Sequence, residues 1–398
     1  MLNIIACYSY FYIQFERISV PKAITTKRCF MDNKNLLAEQ DIVNGTAWRN
    51  FCDELKSLAD IITREDTPND SFNRAEGFRY LTRLLRNSLN ATMEYSDEEF
   101  PELQSLGHMV KLGADNPDNI YQGCRLNPNY DYKIIGNRNS VFYLSFSSIS
   151  GSYGSNAKMI VDGFIDNGEL AINEDGSFEI IVSINQHEGN WLPLTSATKS
   201  INIRQTFLDR SQEKPADLSI ARIGTDDKPA PFTAQQMHDG LKQVSQYMHG
   251  TVNLFADWSA SFKPDINTLP PADQAYCQSI GGDPNIFYFH SYWELAEDEV
   301  LVIEAKTIPE CSTWNFQLDN YWMESLDYRY HQITLNKHTA SYNDDGSVRL
   351  IVAHQDPGDP NWIDTAGHSL GTMCWRWIGA TEHPPIETQV IELKDLIS

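Results

Sequence analysis

Apolar residues recur at helical spacing in three stretches of this chain and in short strand-length runs over most of the rest. From Thr46 onward, Trp48, Phe51, Leu55, Leu58 and Ile62 share one stripe, and the loop from Asp66 to Asp70 ends that helix. A second helix carries Phe72, Ala75, Phe78, Leu81, Leu85 and Leu89 on its apolar side and Arg74, Arg79, Arg83 and Arg86 on its others. The third is long and amphipathic. Thr233 is a good N-cap for it, Gln236 stands at the capping-box position, and Met237, Leu241, Val244, Met248, Val252 and Phe255 follow.

Strand-length runs bounded by turn residues fill two blocks. The first predicts strands over 130–135, 141–147, 158–165, 178–184, 201–207 and 218–223. The second predicts them from about 286, over 299–305, 313–318, 334–337, 348–353, 372–378 and 388–393. Residues 263–285, rich in Pro and Gly, read as a loop or linker. Short strands at this spacing indicate antiparallel sandwiches or jelly rolls.

One pattern occurs in both blocks. Residues 175–207 and 345–377 each run Asp-Gly-Ser, an apolar strand with Ile-Val, a Gly-containing turn, Asn-Trp, then an Arg on a later hydrophobic strand. Asp175 and Asn190 are 15 residues apart, Asp345 and Asn361 are 16 apart, and the Asn-to-Arg steps are 14 and 15. The expected fold is therefore mainly β with helices (α+β): two tandem antiparallel β-sandwich or jelly-roll-like units. The expected divisions are an N-terminal helical segment over 31–112, the first unit over 113–230, a bridging helix and linker over 231–285, and the second unit over 286–398. Residues 1–30, basic where the body is acidic, read as a disordered or non-native extension, with Met31 a plausible start.

Charge narrows the function classes. With 31 basic and 54 acidic residues the formal net charge is -23, a field that repels nucleic acid and anionic membranes. Seven scattered cysteines without a CxxC pair suit reduced thiols in a cytoplasmic protein. No apolar run reaches the length of a membrane helix.

Candidate chemistry falls in four places. Asn190 with Trp191, and Asn361 with Trp362, either staple turns to the core or offer hydrogen bonds and apolar faces to a ring-bearing ligand. Arg204 and Arg376 would then pair an anion or tie a turn. The second block adds His354, Asp356, Asp364 and His368, so Asp364 orienting His368 beside Arg376 is a candidate acid–base set. Arg79 and Arg83, one helical turn apart, either pair with carboxylates of the fold or face an anionic ligand. The spacing of His331, His338, His354 and His368 fits no metal signature, and no cofactor motif is present.

Residues 76–86, 113–121, 189–193, 204–207 and 361–368 together resemble the bacterial proteins grouped as domain of unknown function 1214, a likeness running from about residue 45 onward. The resemblance implies a β-sandwich architecture with helices and a mostly cytosolic bacterial protein associated with lipid, steroid or aromatic-compound metabolism. It supplies no catalytic residues. The first expectation is a small organic ligand, lipid-, steroid- or aromatic-like, in a cleft between the two units, with Trp191, Trp362, Tyr321 and Trp322 as walls. The alternatives are a cofactor-independent hydrolase, lyase or isomerase, and a protein-binding scaffold.

Overall fold

The computed structural model describes residues 35–106, 110–154, 158–225 and 227–397; the expectations for residues 1–30 and for a start at Met31 lie outside them. Helix α1 spans Thr46–Ile62 and α2 spans Ser71–Leu89, the latter opened by Asp70, whose side chain accepts from the Asn73 amide. The buried face of α2 is not the predicted one. It carries Asn73, Gly77, Tyr80, Leu84 and Ser88, while Phe72 and Phe78 are exposed. The reason is a close approach: a Cβ on Gly77 would stand 2.7 Å from the Trp322 indole, on which Tyr80 also stacks. Small residues thus let a large aromatic of the second β block seat itself against the helix.

The first β unit follows. Strands β1 (Gln104–Leu106), β2 (Asn119–Arg125), β8 (Thr198–Thr206), β4 (Tyr143–Ser152) and β5 (Lys158–Asp166) form one sheet in that order. The second sheet is β7 (Trp191–Pro193), β6 (Ser177–Ser183), β3 (Tyr132–Asn137) and β9 (Asp217–Arg222). Apolar residues of both sheets, among them Phe146, Phe178, Ile180 and Ile203, close one core between them.

The second unit has the same strand order except that it lacks a counterpart of β1. Its sheets are β10 (Ile286–Glu294), β16 (Leu370–Ile378), β12 (Thr313–Leu318) and β13 (Thr334–Asn336), then β15 (Trp362–Asp364), β14 (Val348–Ala353), β11 (Glu299–Ala305) and β17 (Glu387–Glu392). In each unit one short strand pairs in parallel, β7 with β6 and β15 with β14; the other pairings are antiparallel. The core here is richer in aromatics. Trp314 and Trp375 stack with centroids 4.6 Å apart, a contact worth about 0.5–1.5 kcal/mol beyond burial.

Helix α3 (Ala234–Ser261) bears the expected Thr233–Gln236 capping box. Its Leu241, Val244, Met248 and Val252 share a cluster with α1, α2 and Tyr292, Tyr321 and Trp322 of the second unit. It also touches the first unit, because a Cβ on Gly250 would lie 2.1 Å from the Tyr153 carbonyl oxygen. The segment expected to be only loop contains a short helix, α4 (Gln274–Ser279), capped by Asp273. Helix α5 (Leu393–Ile397) ends the described chain.

Strand alternation sets up what lies between the units. On β8, Ile201 and Ile203 enter the first core, and Asn202 and Arg204 point to the opposite face. On β12, Trp314, Phe316 and Leu318 enter the second core, whereas Asn315, Gln317 and the following Asp319 are equally buried but outside it. A strand's second face need not be its wet face.

Candidate functional site

The Asn-Trp turns are clamps. Asn190 Oδ1 accepts from the Ala171 amide at 2.7 Å, and its Nδ2 donates to the Ala171 and Glu179 carbonyls, both at 2.9 Å. Asn361 does the same with Ser341 N, Ser341 O and Arg349 O at 2.7, 2.7 and 2.9 Å. Trp191 Nε1 donates to Ser183 O at 3.0 Å, and Trp362 Nε1 to Ala353 O at 2.9 Å. Each amide spends its hydrogen-bonding capacity on backbone, and none of these four residues lines the space between the units. His354 is occupied too, with Thr365 Oγ1 at 2.9 Å and Leu295 O at 3.2 Å. Tyr321 and Trp322, expected as ligand walls, are buried under the helices and donate to Asp66 O and Asn73 O.

The two arginines that end the shared pattern do meet. Arg204 and Arg376 line one cavity of about 300 Å³ between the units, roofed by α3. Each stands opposite a tyrosine in register, Tyr121 beside Arg204 and Tyr288 beside Arg376. Phe255, Trp258 and Tyr153 supply further aromatic wall. Arg376 Nη1 donates to Gln317 Oε1 at 2.5 Å and Asn315 Oδ1 at 3.4 Å, and its Nη2 to Ala114 O at 2.5 Å. Arg204 Nη2 donates to Gly281 O at 2.7 Å, but Nη1 lies 3.5 Å from Asp283 Oδ2 and makes no hydrogen bond, although the residue is 8% exposed.

Two more groups of this cavity matter. His290 packs between the rings of Phe262 and Tyr288, and burial, helped by Arg376, pushes its pKa down to about 3. It is a neutral imidazole whose Nδ1 has no hydrogen-bond partner. Cys374 Sγ is 3.9 Å from His290 Nε2, but burial pushes the thiol up to about 12, so the pair is not a thiolate nucleophile. Asp115 accepts from Ser325 N and Oγ, and burial raises its pKa. Behind the cavity, Asp319 accepts from Gln317 Nε2 at 2.6 Å, and burial lifts it to about 8.

The predicted acid–base set is not assembled. Asp364 Oδ2 is 2.6 Å from His331 Nδ1, not paired with His368, and its Oδ1 accepts from the Ala366 amide. His368 has Phe72 edge-on at 4.7 Å and Thr365 O at 3.3 Å from Nδ1. Arg376 belongs to the central cavity instead. His368, His331, Arg79 and Arg83 line a separate basin between α2 and the loops of the second unit. Among the described residues, no cluster of three or more His, Cys, Asp or Glu could hold a metal ion.

Sequence reasoning missed Tyr121, Tyr288, His290, Asp115 and Asp319, which come from segments far apart in the chain. One signal was present: serine, asparagine and glutamine at every second position of β4 and β12, a polar face on strands otherwise fit for a core.

The family model described as "Protein of unknown function (DUF1214)" matches residues 297–382. A crystal structure of an uncharacterized protein from Burkholderia cenocepacia is 48% identical over 90% of this chain and 99% of that chain, with a TM-score of 0.88. A crystal structure of a protein from Vibrio parahaemolyticus is 10% identical over 83% of this chain and 100% of that one, with a TM-score of 0.45. No curated protein matches the chain. Among the described residues, no helix is long and apolar enough to cross a membrane.

Proposed function

The chain belongs to the DUF1214 family of proteins of unknown function, and we propose that it binds a small organic acid with an aromatic or apolar body in the cavity between its two β units. One observation carries this reading: the buried Arg204 guanidinium lines that cavity, and its Nη1 makes no hydrogen bond, its nearest acceptor being the ion-pair partner Asp283 Oδ2 at 3.5 Å. A buried donor without a hydrogen bond costs about 1–3 kcal/mol, which an ion pair at 3.5 Å offsets only in part, so the site is suited to a guest that supplies a closer acceptor. A carboxylate fits the guanidinium fork, and the unpartnered His290 Nδ1 and the aromatic walls suit a ring beside it. A volume of about 300 Å³ lies at the small end of ligand pockets, which run from about 300 to 1,000 Å³. That favours a single-ring or short-chain acid over a steroid or a long acyl chain.

The experiment is a thermal-shift series with benzoate, phenylacetate and indole-3-acetate, set against benzamide, cholesterol and an acyl-CoA. A ligand bound only by the folded state at about 100 times its Kd adds about 2.7 kcal/mol. The acids should raise the melting temperature and benzamide should not. Arg204→Gln combined with Asp283→Asn, which leaves no carboxylate unpaired, should weaken the response at least tenfold. An equal response to benzamide, or none to any acid, sinks the reading.

A further inference from the structure

A second cavity, of about 520 Å³, opens on another side of the molecule between α2 and the loops of the second unit. Arg79, Arg83 and Arg86 line it from one face of α2, at positions i, i+4 and i+7. Lys111 and Arg329 face them. Five cationic side chains therefore surround a cavity lined by two carboxylates, Glu76 and Asp327, in a chain whose net charge is -23. Such a local reversal of sign against the field of the whole molecule is expected where an anion must be drawn in.

The pairings inside the basin leave cationic capacity. Arg79 meets Glu76 at 3.2 Å across an exposed helical turn, a weak contact. Arg329 holds Asp327 through two hydrogen bonds at the mouth. At the floor, Arg83 Nη1 reaches the fully buried Glu324 at 2.6 Å, a carboxyl whose pKa burial raises against the pull of Arg83. Lys111 donates to the carbonyl oxygens of Ser325 and Leu326; burial lowers its pKa, and the nearby carboxyls of Asp115, Glu324 and Asp327 act against that. His368, 8% exposed, keeps an Nε2 with no hydrogen-bond partner, and Asp364 orients His331 at the rim.

We propose that this basin is a second binding site, for a small molecule carrying a dianionic phosphoryl group, held by Arg79 and Arg329 at the mouth and by Arg83 and Lys111 at the floor. A phosphoryl group presents three acceptor oxygens and close to two negative charges, which a ring of guanidinium forks and an ammonium matches better than one carboxylate would. The volume exceeds what a bare ion fills, so the phosphoryl group is one end of a larger organic body. The site shares no lining residue with the central cavity, although Asp115 of that cavity accepts from Ser325 of this one.

The test is calorimetric titration of the full chain with inorganic phosphate and with glycerol 3-phosphate, using succinate as a dicarboxylate at matched ionic strength. Glycerol 3-phosphate should bind saturably, more tightly than phosphate, and more weakly as salt rises. Arg79→Gln with Arg329→Gln, both at exposed positions, should weaken it at least tenfold, and Arg204→Gln with Asp283→Asn should leave it unchanged. If the double variant does not fold by its melting transition, Arg79→Gln alone should weaken binding at least threefold. Absence of saturable binding, or equal affinity in the basin variants, overturns the site. Succinate binding as tightly as glycerol 3-phosphate overturns its assignment to a phosphoryl group.

Discussion

Arg204 and Arg376 occupy the same place in two units whose strand orders match apart from β1, each beside a tyrosine, yet their surroundings differ. In the second unit the neighbouring strand β12 offers Asn315 and Gln317, both long enough to reach Arg376, and the Ala114 carbonyl completes the set. In the first unit β4 offers Ser145 opposite Arg204 and Ser147 beside it, and both hydroxyls are buried without partners. Serine is too short to do what asparagine and glutamine do. One guanidinium is therefore hydrogen-bonded into the wall through both Nη atoms, and the other, held by Gly281 O and 3.5 Å from Asp283, keeps an Nη1 that makes no hydrogen bond. Equivalent backbone positions can be divided into a structural and a receptive member by the length of the side chains across the ladder.

The largest effect separates the two directly. Arg376→Met leaves Gln317 Oε1, Asn315 Oδ1 and the Ala114 carbonyl without their donor in a buried place, so it should cost about 3–5 kcal/mol. Arg204→Met with Asp283→Asn loses one hydrogen bond, to Gly281 O, and should cost about 1–2 kcal/mol. Urea midpoints give both numbers, and a reversed order would break the division into wall and receptor.

A pH experiment sharpens the same contrast, because β4 carries no carboxylate and Asp319 follows β12 directly. Its pKa in the folded chain is about 8, against an ordinary 3.8, through burial. Below about pH 4 the group is protonated in both states and costs nothing. Above about pH 8 it is ionised in both, and the folded state bears the burial penalty. Stability should therefore fall by a few kcal/mol on account of Asp319 as pH rises through that window. Asp319→Asn should make the slope shallower, leaving the part that the buried Asp115, Asp118 and Glu324 contribute with the same sign. His290, held down to about 3, gives the opposite slope, with stability lost as pH falls from about 6.5. Comparing wild type with Asp319→Asn cancels that contribution. Parallel pH profiles of the two proteins would mean that Asp319 is ionised in the fold.

What the sequence disclosed follows from the range of the physics involved. Local rules located α3 through the Thr233–Gln236 box and most strands through their runs. The shared Asp-Gly-Ser and Asn-Trp spacing marks the places where β6 leads to β7 and β14 to β15, although it does not predict the short parallel strands themselves. The face of α2 was misjudged because Phe72 and Phe78 look like core, whereas Gly77 matters by having no side chain where Trp322, some 245 positions away, must fit. The central site was half visible. Arg204 and Arg376 stood out by position, but alternation on β4 and β12 says only that a strand has two faces. That Ser145, Gln317 and Asp319 on that second face end up dry depends on what covers it, which alternation does not say. Asp364 reads from the sequence as the partner of His368, four positions on, whereas in the fold its carboxylate meets His331, 33 positions back.

The two clamps provide the last and smallest contrast, and it tests whether the shared pattern serves the fold or the cavity. Asn190 and Asn361 make the same three bonds to backbone, but Asn361 is 5% exposed whereas Asn190 is only half-buried. Water can replace what Asn190→Ala removes, so that variant should lose about 1 kcal/mol. In Asn361→Ala the Ser341 and Arg349 groups are left with poorer access to solvent, and the loss should be about 2–3 kcal/mol. Neither side chain lines the central cavity, so both variants should keep the wild-type thermal response to benzoate, measured as a shift from their own lower baselines. A variant that kept its stability and lost that response would instead place the Asn-Trp turns in binding. The pattern that best reveals the architecture would then also be its recognition element, and the arginines would be secondary.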